Sequence, residues 1–335
     1  MTSQIPEAYF PIVFVNNYPV MQMPPRLTVL EAVQFKGICY EFLSGDDLPP
    51  QLILDFSHTQ FMDSSGVGAL VHNFKAAQNK EVQLILYNTH PPVMAVLSMT
   101  GLDEIFTITS SLDSKSSTII NNSQTNYQQP PETHPSVRSW MKRSIDIVGG
   151  LVGLIITVIL LIPIAIIIKL DSPGPIFFCQ TRCGWLGKRF KIIKFRSMCI
   201  DAEALKNQIP NEAKGAIFKN PNDPRITKIG RFLRRTSLDE LPQFWNVLQG
   251  DMSLVGTRPP TPDEVEKYEI PQWQRLDVKP GMTGEWQVYG RSRIKNFEEV
   301  IELDLRYQEN WSHWYDLKLI FKTLLILFRK NSGAV

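Results

Sequence analysis

Cysteine and histidine are scarce in this chain. Four cysteines and five histidines are spread over 335 residues. Cys39, Cys179, Cys183 and Cys199 do not have the spacing of a disulfide framework. Cys179-x-x-x-Cys183 has no second ligand pair nearby, which argues against a structural zinc site, and thiols so placed read as reduced and cytosolic. Strong net charge is also lacking. The formal balance is +2, and no RNA- or DNA-binding motif accompanies the basic stretches, so nucleic acid is not an expected partner. The N-terminus has no charged start followed by an apolar core, so no signal peptide is expected.

One long apolar run is present. Ile147–Ile168 carries no charge, and at about 1.5 Å per residue it is long enough to cross a hydrocarbon core. Its flanks are cationic on both sides, with Lys142 and Arg143 before it and Lys169 after it. Cations prefer the cytoplasmic side of a membrane, so a single crossing fits poorly. Pro163 inside the run offers a place for the helix to break. The pattern predicts a re-entrant helix over about 144–169 that returns to the face it entered; a spanning helix with a tolerated proline kink is the alternative. From Arg138 to Arg196 there are ten Lys or Arg and two Asp or Glu, an excess that points to a membrane surface or phosphorylated ligands.

The densest chemistry lies in Arg234–Pro260, RRTSLDELPQFWNVLQGDMSLVGTRPP. Asp239 and Glu240 follow Arg234 and Arg235, cations able to hold phosphate. Asp251 and Arg258 come about one short helix later. Ser237-x-x-Glu240 also reads as a capping box, which needs no chemistry, although Pro242 sits badly in the helix it would start. Adjacent helical residues point about 100° apart. Asp239 and Glu240 therefore suit divided roles, one attacking and the other holding a metal or moving a proton. Upstream, GKRFKIIKFRSM alternates apolar and basic residues as an edge strand does, and Arg225–Arg235 reads as a basic amphipathic helix for a membrane interface. Downstream, Lys279–Arg293 is a turn-rich loop closing on Arg291 and Arg293, placed to cradle a nucleotide beside Arg258 or serving as mere punctuation. Trp311–Lys330 is an aromatic-rich amphipathic helix, for an interface or for a core.

The first third of the chain has a different character. Met1–Arg26 is a Pro-rich N-terminal extension. Beyond it, Leu52–Phe56 and Val82–Asn88 are apolar runs of strand length, Ser65–Lys80 has helical spacing, Pro91–Met99 suggests another helix and Glu104–Ile108 a last strand. That alternation argues for an α/β domain, a sheet covered by helices. LILDFS, FMDSSGVGAL, LILYN and LSMTGLDEIFTI together resemble a STAS domain, the fold of anti-sigma-factor antagonists. The resemblance implies that Ser64, the first Ser of the DSSG turn, is a site of phosphorylation and that a regulatory protein or kinase meets this domain. Ordinary N-capping by the same turn remains the simpler reading. The STAS-like domain spans 27–112, and 113–137, rich in Ser, Asn, Gln, Thr and Pro, reads as a flexible linker.

The rest, 138–335, is read as one domain, and about Ser139–Arg329 of it resembles the bacterial sugar transferases, the monotopic polyprenyl-phosphate sugar-1-phosphate transferases. KRSIDIVGG, SPGPIFFCQTRCG, FKIIKFRSM, RITKIGRFLRRTSLDELPQFWNVLQGDMSLVGTRP and VKPGMTGEWQVYGRSR carry the likeness. It implies a monotopic α+β catalytic domain on the cytosolic face of the inner membrane, Mg2+, and a ping-pong reaction that starts exopolysaccharide or glycoconjugate synthesis. In that reaction a UDP-sugar gives its sugar phosphate to polyprenyl phosphate and UMP leaves. By the same likeness Asp239 is the nucleophile, Glu240 holds Mg2+, Lys194 and Arg234 bind phosphates, and Arg258 and Arg291 lie at the nucleotide. Two positions depart from the family pattern: Ile162 precedes Pro163 where many members have Ser, and the turn reads Gly-Thr-Arg-Pro where Gly-Pro-Arg-Pro is usual. The competing class is a membrane-tethered switch, in which Ser64 takes a phosphate and the C-terminal half only anchors it; a scaffold for a polysaccharide assembly complex is a third. The sugar and a homo-oligomeric state are left open by the sequence.

Overall fold

The computed structural model describes residues 10–45, 47–110, 133–218, 220–290, 294 and 296–328. The linker reading at 113–132 and Arg291 and Arg293 fall outside the described residues. The chain forms two compact units. The first holds Met1–Thr133 with Leu186–Lys188 and Glu269–Asp277; the second holds His134–Trp185, Arg189–Tyr268 and Val278–Val335.

The first unit is a mixed α/β layer. Its strands are β1 (Ile12–Val15), β2 (Tyr18–Gln22), β3 (Arg26–Leu27), β4 (Gln51–Asp55), β5 (Phe61–Met62), β6 (Gln83–Tyr87) and β7 (Thr107–Thr109); its helices are α1 (Val29–Leu43), α2 (Ser64–Gln78) and α3 (Pro91–Thr100). The five-stranded sheet runs β1-β2-β4-β6-β7. Only β1 and β2 are antiparallel; Leu52–Asp55 of β4 pair in parallel with Leu84–Tyr87 of β6. Leu52, Ile53 and Leu54 are all buried, as expected for a strand covered on both faces. The β1–β2 hairpin turns at Asn16 and Asn17, both with positive φ (51° and 67°), which suits a tight hairpin between twisted strands. The sequence reading starts the domain at Leu27, whereas the sheet starts at Ile12. Helix α2 is capped by Asp63, whose carboxylate accepts the Gly66 N–H at 3.0 Å.

The second unit is built on a long helix. After α4 (Pro135–Arg138), α5 runs Trp140–Asp171, and among the described residues it alone is long and apolar enough to cross a membrane. One face is cut for close packing. A Cβ on Gly150 would stand 2.8 Å from Leu248, and one on Gly153 would enter the Phe244 ring, so α7 (Phe244–Gln249) lies directly against the backbone of α5. Thr157 Oγ1 donates to Leu241 O at 3.1 Å, and Ile164 and Ile168 join Phe195 and Leu233 in one core cluster. The opposite face exposes Leu151, Ile155, Val158, Ile159, Ile162 and Ile166, a surface suited to lipid rather than water. The helix is continuous through Pro163, where the ring deprives Ile159 of a backbone partner.

Around α5 are β8 (Phe177–Cys183) and β9 (Arg189–Phe195), an antiparallel pair, and α6 (Lys228–Thr236). β10 (Ser253–Val255) pairs in parallel with β11 (Gly281–Thr283). α8 (Pro262–Val265), α9 (Phe297–Glu309) and α10 (His313–Phe328) complete the unit. The sequence reading extended the basic helix back to Arg225. That side chain is instead buried, its guanidinium holding both oxygens of Asp223 at 2.7–3.2 Å, so it lies before the surface helix rather than on it.

Candidate active site

Helix α6 ends at Ser237, whose φ of 56° is left-handed, and a 3-10 turn, Leu238–Gln243, follows. The capping box read from Ser237-x-x-Glu240 is not formed, because Ser237 makes no side-chain cap in that conformation. The tight turn also accommodates Pro242. It buries Asp239 to 5% exposure and turns Glu240 toward β9, where Lys194 Nζ meets Glu240 Oε1 at 2.8 Å. The two carboxylates thus face different surroundings, as their adjacency requires. One turn on, Gln243 is buried with its side-chain N–H2 lacking a hydrogen-bond partner. A buried donor left unmade costs about 1–3 kcal/mol, so it is suited to a ligand acceptor. The sequence reading missed Gln243; its signal was the four-residue spacing from Asp239.

A second cluster forms where β10 leads into Arg258. Arg258 grips Glu264 with both outer nitrogens, at 2.8 and 3.2 Å, and stands 5.8 Å from the Trp286 ring centre. Arg182 of β8 donates to Pro259 O at 2.9 Å. Burial, then the like charge of Arg258, lower Arg182 to about 10, while Glu264, Glu203 and Glu240 pull the other way. Burial pushes Glu264 up, but the two arginines outweigh it and hold its carboxyl at about 2. Arg182 Nε, Trp286 Nε1 and Gln287 Oε1 are buried without partners. Arg182 also escaped the sequence reading. The Lys279–Thr283 loop does lie beside Arg258, since Thr257 pairs with Pro280 and Gly281 N donates to Thr257 O at 2.8 Å.

The start of α5 fixes this cluster. Lys142 Nζ donates to Val255 O at 2.9 Å and to Asp316 Oδ2 at 2.6 Å. Asp146 accepts from Ser253 Oγ and Leu254 N, both at 2.9 Å. Arg143 donates to the carbonyls of Val247 and Leu248 at the end of α7. The apolar helix is therefore tied through buried polar bonds to the strand that precedes Arg258. Arg234 stands half-buried in the last turn of α6, and its charge helps keep the Asp223 carboxyl below its ordinary value, where burial opposes it and Arg225 leads the lowering.

Ser64 is placed elsewhere, in the first unit. It is fully buried, with its hydroxyl donating to Trp273 O at 2.6 Å and its N–H to Asp277 Oδ1 at 3.0 Å.

Among the described residues no three His, Cys, Asp or Glu side chains form a ready metal cage. Mg2+ commonly takes one or two carboxylates and completes its shell with water and phosphate oxygens. Glu240, with its side chain 30% exposed, fits that role.

The family model "Bacterial sugar transferase" matches residues 137–330, and the STAS domain model matches 23–115. The chain is 52% identical over 188 residues to the galactosyl transferase CpsE of Streptococcus agalactiae, 56% of this chain and 42% of the relative. It is 43% identical to the undecaprenyl-phosphate galactose phosphotransferase of Salmonella typhimurium, over 58% of this chain and 42% of that one. The exopolysaccharide production protein ExoY of Rhizobium meliloti is 36% identical over 58% of this chain and 89% of its own length. The chain thus spans about two-fifths of the first two relatives and most of the third.

Proposed function

The chain belongs to the bacterial sugar transferase family, and from that membership we propose that it transfers a hexose-1-phosphate from a UDP-sugar to polyprenyl phosphate. The observation that carries this reading is the turn that buries Asp239 beside the Glu240–Lys194 pair. The names of relatives, among them a galactose phosphotransferase and a glucose-1-phosphate transferase, favour a UDP-hexose donor.

An oxygen of Asp239 attacks the β-phosphorus of the UDP-sugar. The bond from that phosphorus to the bridging oxygen breaks, and UMP leaves with the oxygen and its electron pair. A phosphosugar–aspartyl ester remains. An oxygen of polyprenyl phosphate then attacks the same phosphorus, frees the Asp239 carboxylate and yields the sugar on a polyprenyl diphosphate. Burial of Asp239 keeps water from the intermediate. Lys194 and Arg234 neutralise the charge on the transferring phosphate, and Arg182 joins Arg258 on the nucleotide side. Glu240 would hold Mg2+, which when bound would supply charge neutralisation at the diphosphate. Arg291 is assigned to the nucleotide only by the family likeness.

A soluble nucleotide and a lipid must meet, so the enzyme works at a membrane surface. The exposed apolar face of α5 suits a re-entrant helix that keeps the catalytic unit on one side, with Pro163 as the place of the bend, and we assign that side to the cytosol. A partner at the STAS-like domain is part of the same proposal; phosphorylation of Ser64 would first require its release from Trp273 O, because the side chain is fully buried.

The test is a trapped adduct. Incubation with UDP-galactose or UDP-glucose and Mg2+ without lipid acceptor should add one hexose phosphate to the peptide carrying Asp239, detected by mass spectrometry. An adduct on another residue, or none while UMP is released, would remove Asp239 from the role.

A further inference from the structure

Residues Glu269–Asp277 belong to the first unit, although in sequence they lie between the Arg258 turn and the Lys279–Thr283 loop of the second. They form a 3-10 turn, Ile270–Leu276, packed against α1 and α2. Three contacts hold them. The first is the pair of bonds from Ser64 to Trp273 O and Asp277 Oδ1. The second is the Trp273 ring lying over Gly68, where a Cβ would stand 2.6 Å from the ring atoms. The third is at the rim, where Lys36 Nζ meets Glu269 Oε2 at 3.0 Å.

The buried end is unusual chemically. Asp63 and Asp277 share the N-terminus of α2, with Asp63 bonded to the Gly66 N–H and Asp277 to Ser64. Burial, then the charge of Asp277, push Asp63 up to about 7, and Glu31 of α1 adds to the rise; burial pushes Asp277 up to about 6. Both carboxyls are therefore harder to ionise here than in water.

We propose that α1 and α2 are a receptor for the Glu269–Asp277 segment, and that its seating there sets the turnover of the transferase. This rests on the transferase reading above. The link is the chain itself. Only Val278, Lys279 and Pro280 separate Asp277 from β11, and β11 is the partner of β10, the strand that leads to Arg258. A seated segment fixes the entry to β11. A released one lengthens the free chain before it and loosens the strand pair under Arg258. Seating therefore supports turnover and release lowers it.

The experiment uses the full chain in nanodiscs with two releasing variants. Gly68→Leu drives a side chain into Trp273. Lys36→Glu reverses the charge at the exposed rim without touching the core, and Lys36→Glu/Glu269→Lys restores the pair. Amide exchange over residues 270–277 should rise about tenfold in Gly68→Leu and about threefold in Lys36→Glu, and return to wild type in the double variant. UMP release should fall in the same order and recover with the swap. Unchanged exchange would overturn the receptor. Raised exchange with unchanged or faster UMP release would overturn its action on turnover. If wild type releases no UMP from any UDP-hexose, the transferase reading fails and the coupling with it, while exchange still decides the receptor.

Discussion

Lys194 Nζ stands 2.8 Å from Glu240 Oε1, which sets a cation beside the neighbour of Asp239 before any substrate is present. Both side chains are partly exposed, at 23% and 30%, so a phosphate can reach them. An ion pair this exposed contributes little to stability, about 0–1 kcal/mol. On the transferase reading proposed above, its value is in charge neutralisation at the transferring phosphate. Lys194→Ala should lower the rate of UMP release by about 100-fold or more with almost no change in thermal unfolding. A matching loss of both would make the pair structural.

Gln243 makes the opposite test. Its buried, unpartnered amide N–H2 disfavours the folded state unless a ligand accepts from it. Gln243→Leu should leave the melting temperature equal or higher, since it removes a buried polar group worth about 1–3 kcal/mol when unsatisfied. It should also raise KM for the UDP-sugar. Thermal unfolding and steady-state kinetics on one preparation check both halves; a lower melting temperature with normal KM would contradict the reading.

The packing of α7 on α5 depends on the absence of a side chain at Gly153, where a Cβ would enter the Phe244 ring. Gly153→Val should destabilise the second unit by about 1–3 kcal/mol and slow UMP release, because the Asp239 turn runs directly into α7. Gly149→Ala, whose new carbon meets only the flexible end of Leu254, should be milder. Equal effects from the two substitutions would contradict this packing account.

Seating of the Glu269–Asp277 segment should weaken as pH rises. Asp63 and Asp277 both titrate above the ordinary carboxyl value of 3.8, at about 7 and about 6. A raised value means that the folded form binds the proton more tightly. Its support is then full below about pH 4 and lost as pH passes through about 6 to 7. His72 is held below its ordinary value of 6.5 by burial and then by Lys36, so it works against this trend below that pH, and the two carboxyls must outweigh it. Exchange over 270–277, corrected for its intrinsic pH dependence, should rise between about pH 5 and about pH 8. Asp277→Asn, which keeps an acceptor for Ser64, should flatten the profile. A flat profile in the wild type would contradict the raised carboxyls.

Some of this was legible in the sequence for clear physical reasons. LILDF and VQLILYN are short apolar runs of strand length, and they became β4 and β6. Ser64–Gln78 showed its helical spacing directly. The β1–β2 hairpin was hidden because Pro11 precedes it, Pro19 sits inside β2, and its turn is an Asn pair rather than Asn-Gly. Ser237 looked like a helix start because a capping box is read from residue types, while its left-handed backbone is set by how α6 ends. Arg182 was invisible for another reason: in FFCQTRC it reads as one more outward residue of an edge strand, and only the fold brings it to Pro259. The membership of Glu269–Asp277 in the first unit is purely tertiary, and no local pattern announces it.

The most direct measurement of the central claim is UMP release from a panel of UDP-sugars. The purified protein in nanodiscs, with Mg2+ and polyprenyl phosphate, is compared with Asp239→Asn. The account predicts UMP from a UDP-hexose with wild type alone. Equal UMP release by Asp239→Asn would contradict it, as would none from any UDP-sugar with folded wild-type protein.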